Sequence, residues 1–511
     1  MLPAWMLLVF SLILNVEADQ PGFISINCGA TNGYVDLTTG LNWVPDDAFI
    51  NVGNQTTLQR AVLQTVLKTL RVFPDRNAKK YCYELPVLRN RGYLVRTTYY
   101  YGNFDGRNAP PVFEQLIEGT MWTTVNTTMD YSKGLYTYYE VVIASTGKSM
   151  SVCLARNGNT IGDPFISAIE LRLLESSMYN STDFTKYALA LLSRHNFGNS
   201  ANNVIRYPDD PYDRMWQPFQ DSHSNVSRNL NTTTRGLWNI PPPKIFETAL
   251  ATDKLEPMEI QWPDQNLPNN SYYIALYFLN LDIAEPQRLR AFNISVNGIN
   301  FVSEFNVSII PRMVYARNWT LSGPTSLLLT PVSQSSLGPI INAGELFELV
   351  NLGGRTITRD VIALNLVKKD LINVPSDWHG DPCLPVGYSW TGISCSEGSP
   401  IRVQILNLTS AGLSGSLSPR IADLTALTHI WLGNNNLSGP IPDLVSLKLL
   451  TSLHLEGNKF SGNIPNSLAQ LSNLSELFLQ LNDLSGQVPN GLSNNTKLNL
   501  VIHPGNPLLV N

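Results

Sequence analysis

LTHIWLGNNNLSGPIP, residues 427–442, is followed by LTSLHLEGNKFSGNIP at 450–465 and LSELFLQLNDLSGQVP at 474–489. All three obey L-x-x-L/I-x-L-x-x-N-x-L/F-S-G-x-I/V-P, and Gly415, Gly439, Gly462 and Gly486 recur every 23 or 24 residues. A fixed period of this length describes a solenoid, in which one repeat cannot bury its apolar face and neighbours must stack. Leu427, Ile430 and Leu432 point inward from a short strand and turn. Asn435, Asn458 and Asn482 are placed to hydrogen-bond backbone groups where the chain bends. The unit VQILNLTSAGLSGSL (403–417) has Ala411 in place of the asparagine. LNLVIHPGNPL (498–508) keeps Leu498, Val501, Asn506 and Leu508 but puts His503 at an inward position. The pattern predicts about five repeats over 401–511, the terminal unit degenerate.

In each unit the residue between the second and third inward positions faces the concave side. Stacking puts Asn407, Trp431, His454 and Phe478 in one column, flanked by His429, Glu456, Glu476 and Gln480. Large aromatic side chains on an open face are the usual anchors of a protein contact. The candidate protein-binding residues are therefore His429, Trp431, His454, Glu456, Glu476, Phe478 and Gln480. A glycan on Asn407 would confine that face to the later repeats.

Upstream lies DWHGDPCLPVGYSWTGISC, residues 377–395, with two of the chain's five cysteines. The first repeat of a solenoid has no upstream neighbour, so its apolar end needs a cap. A disulfide between Cys383 and Cys395 would close a small loop around Pro385, Tyr388 and Trp390, worth about 3 kcal/mol by chain entropy. A zinc site wants more ligands than these cysteines and His379 supply.

Residues 19 to about 365 contain a duplication. YLVRTTYYYGNFDG (93–106), FEQLIEG (113–119) and PFISAIELRLL (164–174) are followed in the same order by YYIALYFLNLD (272–282), FNISVNG (292–298) and PIINAGELFEL (339–349). Phe113 and Gly119 match Phe292 and Gly298, and Pro164 and Glu170 match Pro339 and Glu345. Short Tyr-, Val-, Ile- and Thr-rich runs between Gly, Asn, Asp and Pro turns predict two β-sandwiches. TTLQRAVLQTVLKTLRVF (56–73) reads equally as helix or as strand plus loop.

The setting follows from the rest of the chain. An apolar run from Leu2 to Val16 before Ala18 reads as a secretory signal peptide over 1–18, and no later run reaches the roughly 18 apolar residues of a spanning helix. N-glycan acceptor triplets occur at Asn54, Asn126, Asn180, Asn225, Asn231, Asn269, Asn293, Asn306, Asn318, Asn407, Asn436, Asn473 and Asn494. In an exported chain each occupied site faces solvent. A net charge of -5 with 15% charged residues leaves no basic footprint for nucleic acid. Cys28, Cys82 and Cys153 allow one bridge, Cys28 to Cys82 or Cys82 to Cys153 among the options, and one buried free cysteine is expected. The six histidines are scattered, and no nucleophile motif or phosphate-cradling loop is present. Sugar cleavage needs two carboxylates facing each other across the substrate, for which Asp105 with Glu114 or with Glu140 are the candidate pairs. The expectation is a non-enzyme without metal or cofactor.

In ISINCG (24–29), YGNFDGRN (101–108) and FNISVNG (292–298), residues 21–365 resemble the plant malectin-like region. WHGDPC (378–383) resembles the junction joining such regions to plant leucine-rich repeats. The whole is similar to the ectodomain of malectin-like leucine-rich-repeat receptor kinases. The resemblance implies a mainly β chain of tandem malectin-like sandwiches at 19–180 and 190–368, a junction and cap at 369–400, and a short solenoid. It also implies carbohydrate as a ligand class, for which Tyr99, Tyr101, Asn103, Phe104, Asp105 and Trp122 are the candidate residues. Such receptors continue into a membrane helix and kinase, and neither occurs within these 511 residues. The expectation is a secreted or cell-surface recognition protein that binds a peptide or a membrane receptor's ectodomain, reaches the plasma membrane only through a partner, and takes cell-wall oligosaccharide as a second ligand. The alternative is a structural or carbohydrate-binding wall protein with no signalling role.

Overall fold

The computed structural model describes residues 22–59, 64–201, 203–229, 232–234, 236–252, 254–282 and 288–510. The expected signal peptide and Asn231 lie outside these residues. Eight strands, numbered along the chain, form the spine: β1 (Phe23–Asn27), β2 (Gly92–Tyr99), β3 (Thr137–Ala144), β4 (Ala168–Leu173), β5 (Tyr187–Phe197), β6 (Leu267–Phe278), β7 (Arg312–Gly323) and β8 (Ala343–Asn351). They lie in the order β1-β4-β2-β3-β5-β8-β6-β7, and short marginal strands complete an eleven-stranded sheet.

The duplication is exact in connectivity. β1 pairs with β4, β4 with β2 and β2 with β3, while β5 pairs with β8, β8 with β6 and β6 with β7, all antiparallel. Each half adds a four-stranded sheet, built on Tyr81–Pro86, Phe113–Ile117, Thr120–Val125 and Ser149–Ala155 in the first and on Met258–Gln261, Ala291–Val296, Ile299–Asn306 and Ser326–Pro331 in the second. The repeated FEQLIEG and FNISVNG segments are the same hairpin: Glu118–Gly119 (φ 47° and 77°) and Asn297–Gly298 (φ 49° and 75°) both make the left-handed two-residue turn. Sheet packs on sheet through aromatic contacts such as Tyr99 with Phe113 at 5.8 Å and Phe278 with Phe292 at 5.8 Å. The ambiguous segment at 56–73 resolves, where described, into strand Asn54–Thr57, a short 3-10 turn Thr65–Leu67 and strand Thr69–Val72.

The two sandwiches are joined rather than merely consecutive. β3 pairs with β5 across the boundary through Val141↔Ala190 and Val142↔Leu189. A row of alternating charge crosses the same seam: Glu170, Arg96, Glu140, Arg194 and Glu345 sit on β4, β2, β3, β5 and β8, with consecutive ion pairs at 3.0, 2.9, 2.5 and 2.7 Å. All five are buried. Asp213 closes the row from a loop of the second half, 2.9 Å from Arg172 and 3.3 Å from Arg96. The candidate glutamates for sugar cleavage are thus committed elsewhere. Glu140 belongs to this row, and Glu114 accepts from Asn157 at 2.7 Å and Thr124 at 2.9 Å.

The solenoid has two parallel sheets. One carries Val403–Asn407, His429–Trp431, Ser452–His454, Glu476–Phe478 and Asn499–Val501, and the other Ser414–Ser416, Asn436–Pro440, Lys459–Asn463, Asp483–Gln487 and Leu508–Val510. The asparagine ladder binds each unit to the one before. Asn458 donates to the carbonyls of Leu432 (2.9 Å) and Leu455 (3.1 Å) and accepts from the Leu437 N–H (3.0 Å), and Asn435, Asn482 and Asn506 repeat the arrangement. In the last unit Leu500 is paired with Leu477 and Val501 with Phe478, so Val501 continues the concave column rather than the core. His503 is correspondingly exposed, correcting its inward assignment.

A helix unforeseen in the sequence, Thr358–Asp370, precedes the repeats. Its Ala363, Leu364 and Val367 belong to the solenoid core, and its buried Asp360 takes Arg402 at 2.9 Å and the Val403 N–H at 3.0 Å. The boundary expected at 368 is therefore corrected: the second sandwich ends with β8 at Asn351, and the helix starts the cap. Charged residues at both ends of TRDVIALNLVKKD, with only a narrow apolar face, hid it.

The cap itself contains the Cys383–Cys395 disulfide, with Trp378 and Trp390 stacked at 5.1 Å and fully buried beneath it. Its second contact is with the first sandwich, distant in sequence. Lys80 donates to the carbonyls of Asp381 (2.6 Å) and Leu384 (2.9 Å), the Gly380 N–H reaches Glu84 (2.9 Å), and Asp377 accepts from the Lys79 N–H (3.1 Å). Gly380 lies directly on the second disulfide, Cys82–Cys153, where an added Cβ would stand 3.2 and 3.3 Å from the two sulfurs. Cys28 is the buried free thiol.

This joint carries a pH dependence. Burial, then the neighbouring Lys368 and Lys80, depress the His379 pKa from 6.5 to about 4. The unfolded state therefore takes up its proton first as pH falls, so stability declines between pH 6.5 and about 4. Denaturant melts at pH 7, 5.5 and 4 should show His379→Gln flattening that decline by up to about 3 kcal/mol. Equal slopes in the two proteins would contradict the assignment.

Candidate functional site

Parallel pairing sets the concave column in register: Asn407↔Trp431↔His454↔Phe478↔Val501, with His429↔Ser452↔Glu476 alongside. Because side chains alternate across a strand, the leucines between them enter the core and these residues face out. The rings form a ladder. Trp431 stacks on His454 at 5.8 Å (24° between planes), His454 on Phe478 at 4.3 Å (12°), and His429 meets Trp431 edge-on at 5.0 Å. All four are half-buried, so the ladder offers a continuous rim of ring edges rather than isolated exposed faces.

Ser452 is the hub that the sequence reading missed. Its Oγ accepts from Trp431 Nε1 at 2.8 Å, donates to Glu476 Oε2 at 2.8 Å and lies 3.0 Å from His454 Nε2. His454 Nε2 is also 3.2 Å from Glu476. The Ser452 hydroxyl first, then His454, hold the Glu476 carboxyl below its usual range, so it stays ionised. On the other flank the Glu456 carboxylate leans over Gly433, where any side chain would collide with it. Gln480 follows Glu456 in the same row. A fixed aromatic ledge between two carboxylates suits an extended, partly apolar segment with a basic side chain.

The proposed sugar residues fall otherwise. Tyr99, Tyr101 and Trp122 are buried in the core of the first sandwich and present no open stacking face, which corrects their assignment. Tyr101 is boxed in by Tyr131 at 4.9 Å and Phe104 at 5.4 Å, and its hydroxyl donates to Asp105. Asp105 also accepts from the Arg107 N–H at 3.1 Å, and Asn103, in the left-handed region at φ 58°, accepts from the Asn108 N–H at 2.8 Å. Asn103, Phe104 and Asp105 are half-buried and shape their own turn. Of the twelve described acceptor asparagines, all are exposed except Asn293, which is half-buried and accepts from the Glu304 N–H at 2.8 Å.

Residues 26–349 match the Malectin-like domain, 357–396 the Leucine rich repeat N-terminal domain, and 426–447 and 449–471 the Leucine Rich Repeat. A probable LRR receptor-like serine/threonine-protein kinase of Arabidopsis thaliana is 33% identical over 475 residues, covering 88% of this chain and 49% of the relative. The probable LRR receptor-like serine/threonine-protein kinase PAM74 of the same organism is 32% identical, covering 84% and 49%. The chain thus spans about half the length of the curated relatives it matches. Among solved structures, the ANX2 ectodomain from Arabidopsis thaliana superposes with a TM-score of 0.54 at 17% identity, covering 64% of this chain and 96% of that one. A chain of the plant peptide RALF23 complex with FER and LLG2 gives 0.52 at 16%, covering 65% and 96%. No helix among the described residues is long and apolar enough to cross a membrane.

Proposed function

The chain belongs to the malectin-like family, with leucine-rich repeats following the paired sandwiches, and from this we propose that it is an exported recognition protein whose concave solenoid face binds a peptide or a partner receptor's ectodomain. The carrying observation is the Trp431–His454–Phe478 ladder, held by Ser452 and flanked by Glu456 and Glu476. Charge complementarity gives the ligand a basic side chain beside an apolar one. The neighbour crystallised with the peptide RALF23 supports peptide as the ligand class. The apolar start of the chain and the exposed acceptor asparagines support export and glycosylation.

The test uses the secreted chain and the partner that copurifies with it, identified and then titrated as a pure component. Trp431→Ala with Phe478→Ala should weaken binding by about 100-fold or more, since a central aromatic anchor is worth about 2 kcal/mol or above. Thermal melting should remain close to the parent, because both rings lie outside the leucine core. Unchanged affinity in the double variant would remove this face from the function, and a chain with no partner would favour a structural wall role.

A further inference from the structure

Trp238 is the one exposed tryptophan among the described residues, at 51%. It walls a cleft of about 640 Å3 in the second sandwich, lined also by Asn180, Ser181, Tyr315, Ala316 and Arg317. Its ring leans on Tyr315 at 5.5 Å, and Tyr315 stacks on the buried Tyr273 at 6.0 Å. The exposed indole is thereby the outer member of a pile rooted in the core. Exposed Arg317 supplies hydrogen-bonding groups around it. An aromatic platform with a polar rim is the complement of a pyranose, which has an apolar C–H face and a belt of hydroxyls.

Asn180 stands in the wall of this cleft and heads the triplet Asn180-Ser181-Thr182. It occupies a tight turn closed by the Thr182 N–H to Tyr179 carbonyl bond at 2.9 Å. The turn is bolted to the Trp238 loop by buried Asn239, whose Oδ1 accepts from the Tyr179 N–H at 3.1 Å and whose Nδ2 donates to the Tyr273 hydroxyl at 3.0 Å. The residue after Trp238 therefore fixes the residue before Asn180. Tyr179 is anchored further by its hydroxyl on Glu345 at 2.7 Å. The attachment point and the platform are held together by the same buried side chain.

We propose that this cleft is a pyranose seat and that its resident is the chain's own N-glycan at Asn180, whose first sugars lie on Trp238. The proposal rests on the reading of the chain as an exported glycoprotein. The shared chemistry, a pyranose on an indole, also fits a free saccharide, and the experiment separates the two sources. The chain would be secreted from plant cells, and native enzymatic glycan release followed site by site with mass spectrometry. Release at Asn180 should be slower than at the other occupied sites. Trp238→Ala should accelerate it about tenfold, the equivalent of one lost contact of about 1.4 kcal/mol, while Trp238→Phe should preserve the protection. Chitobiose should bind Asn180→Gln, whose seat is vacated, and not the glycosylated parent.

Equal chitobiose binding by parent and Asn180→Gln would overturn the resident glycan in favour of a free saccharide. Release at Asn180 that is unaffected by Trp238→Ala would overturn the seat. An empty Asn180 beside occupied Asn126, Asn225 and Asn318 would overturn this proposal alone, whereas a chain without glycan at any site would instead overturn the export reading.

Discussion

Arg194→Ala is expected to destabilise the chain by about 3–5 kcal/mol, the loss typical of removing one partner from a buried ion pair. The guanidinium bridges Glu140 at 2.5 Å and Glu345 at 2.7 Å, one carboxylate from each sandwich, and all three are fully enclosed. Burial alone would drive the Glu345 carboxyl upward, and Arg194 and Arg214 oppose it and keep it low. Without Arg194, Glu345 must stay charged with less compensation or take a proton, and Glu140 keeps only Arg96. The seam has two backbone register pairs, and the charged row runs beside an apolar cluster that joins Leu94 and Val142 to Leu189. Urea unfolding followed through tryptophan fluorescence and far-UV dichroism should show both sandwiches losing stability together. A loss below about 1 kcal/mol, or one confined to the second sandwich, would contradict the bridging role.

Trp378→Ala is expected to cost about 3–5 kcal/mol and to open the joint between sandwich and solenoid. The indole is fully buried, stacks on Trp390 and donates to the Thr391 carbonyl at 2.9 Å. Its neighbour Asp377 accepts from Thr391 and from the Lys79 N–H, so the hole would lie where the cap meets the first sandwich. Limited proteolysis should reveal new cuts within residues 365–415 in the variant. Replacing both Cys383 and Cys395 with serine should give the same cuts with a smaller loss, about 3 kcal/mol. Protection equal to the parent in both variants would mean that the cap does not close the solenoid.

The solenoid was readable because its chemistry repeats. A period of 23 or 24 residues placed Asn435, Asn458 and Asn482 in a ladder and Trp431, His454 and Phe478 in a column. The degenerate last unit misled because Val501 and His503 obey strand register rather than the leucine pattern. The duplication was equally legible, and the matched Glu170 and Glu345 already marked both ends of the buried charge row. The row itself was hidden, since Arg96 and Arg194 look like surface residues until the second half covers them. Tyr99, Tyr101 and Trp122 are buried for the converse reason: aromatic side chains between two packed sheets go into the core, whichever sheet or flanking turn carries them. Ser452 carried no signal, as its role exists only once Trp431, His454 and Glu476 are brought round it by three neighbouring repeats.

Recognition through the solenoid face is tested most directly by hydrogen exchange on the chain with and without its purified partner. Segments 427–432, 450–455 and 474–479 should gain protection together, with the first sandwich's Asn103–Asp105 turn unchanged. Protection confined to the sandwiches, with those three segments unaltered, would contradict the account.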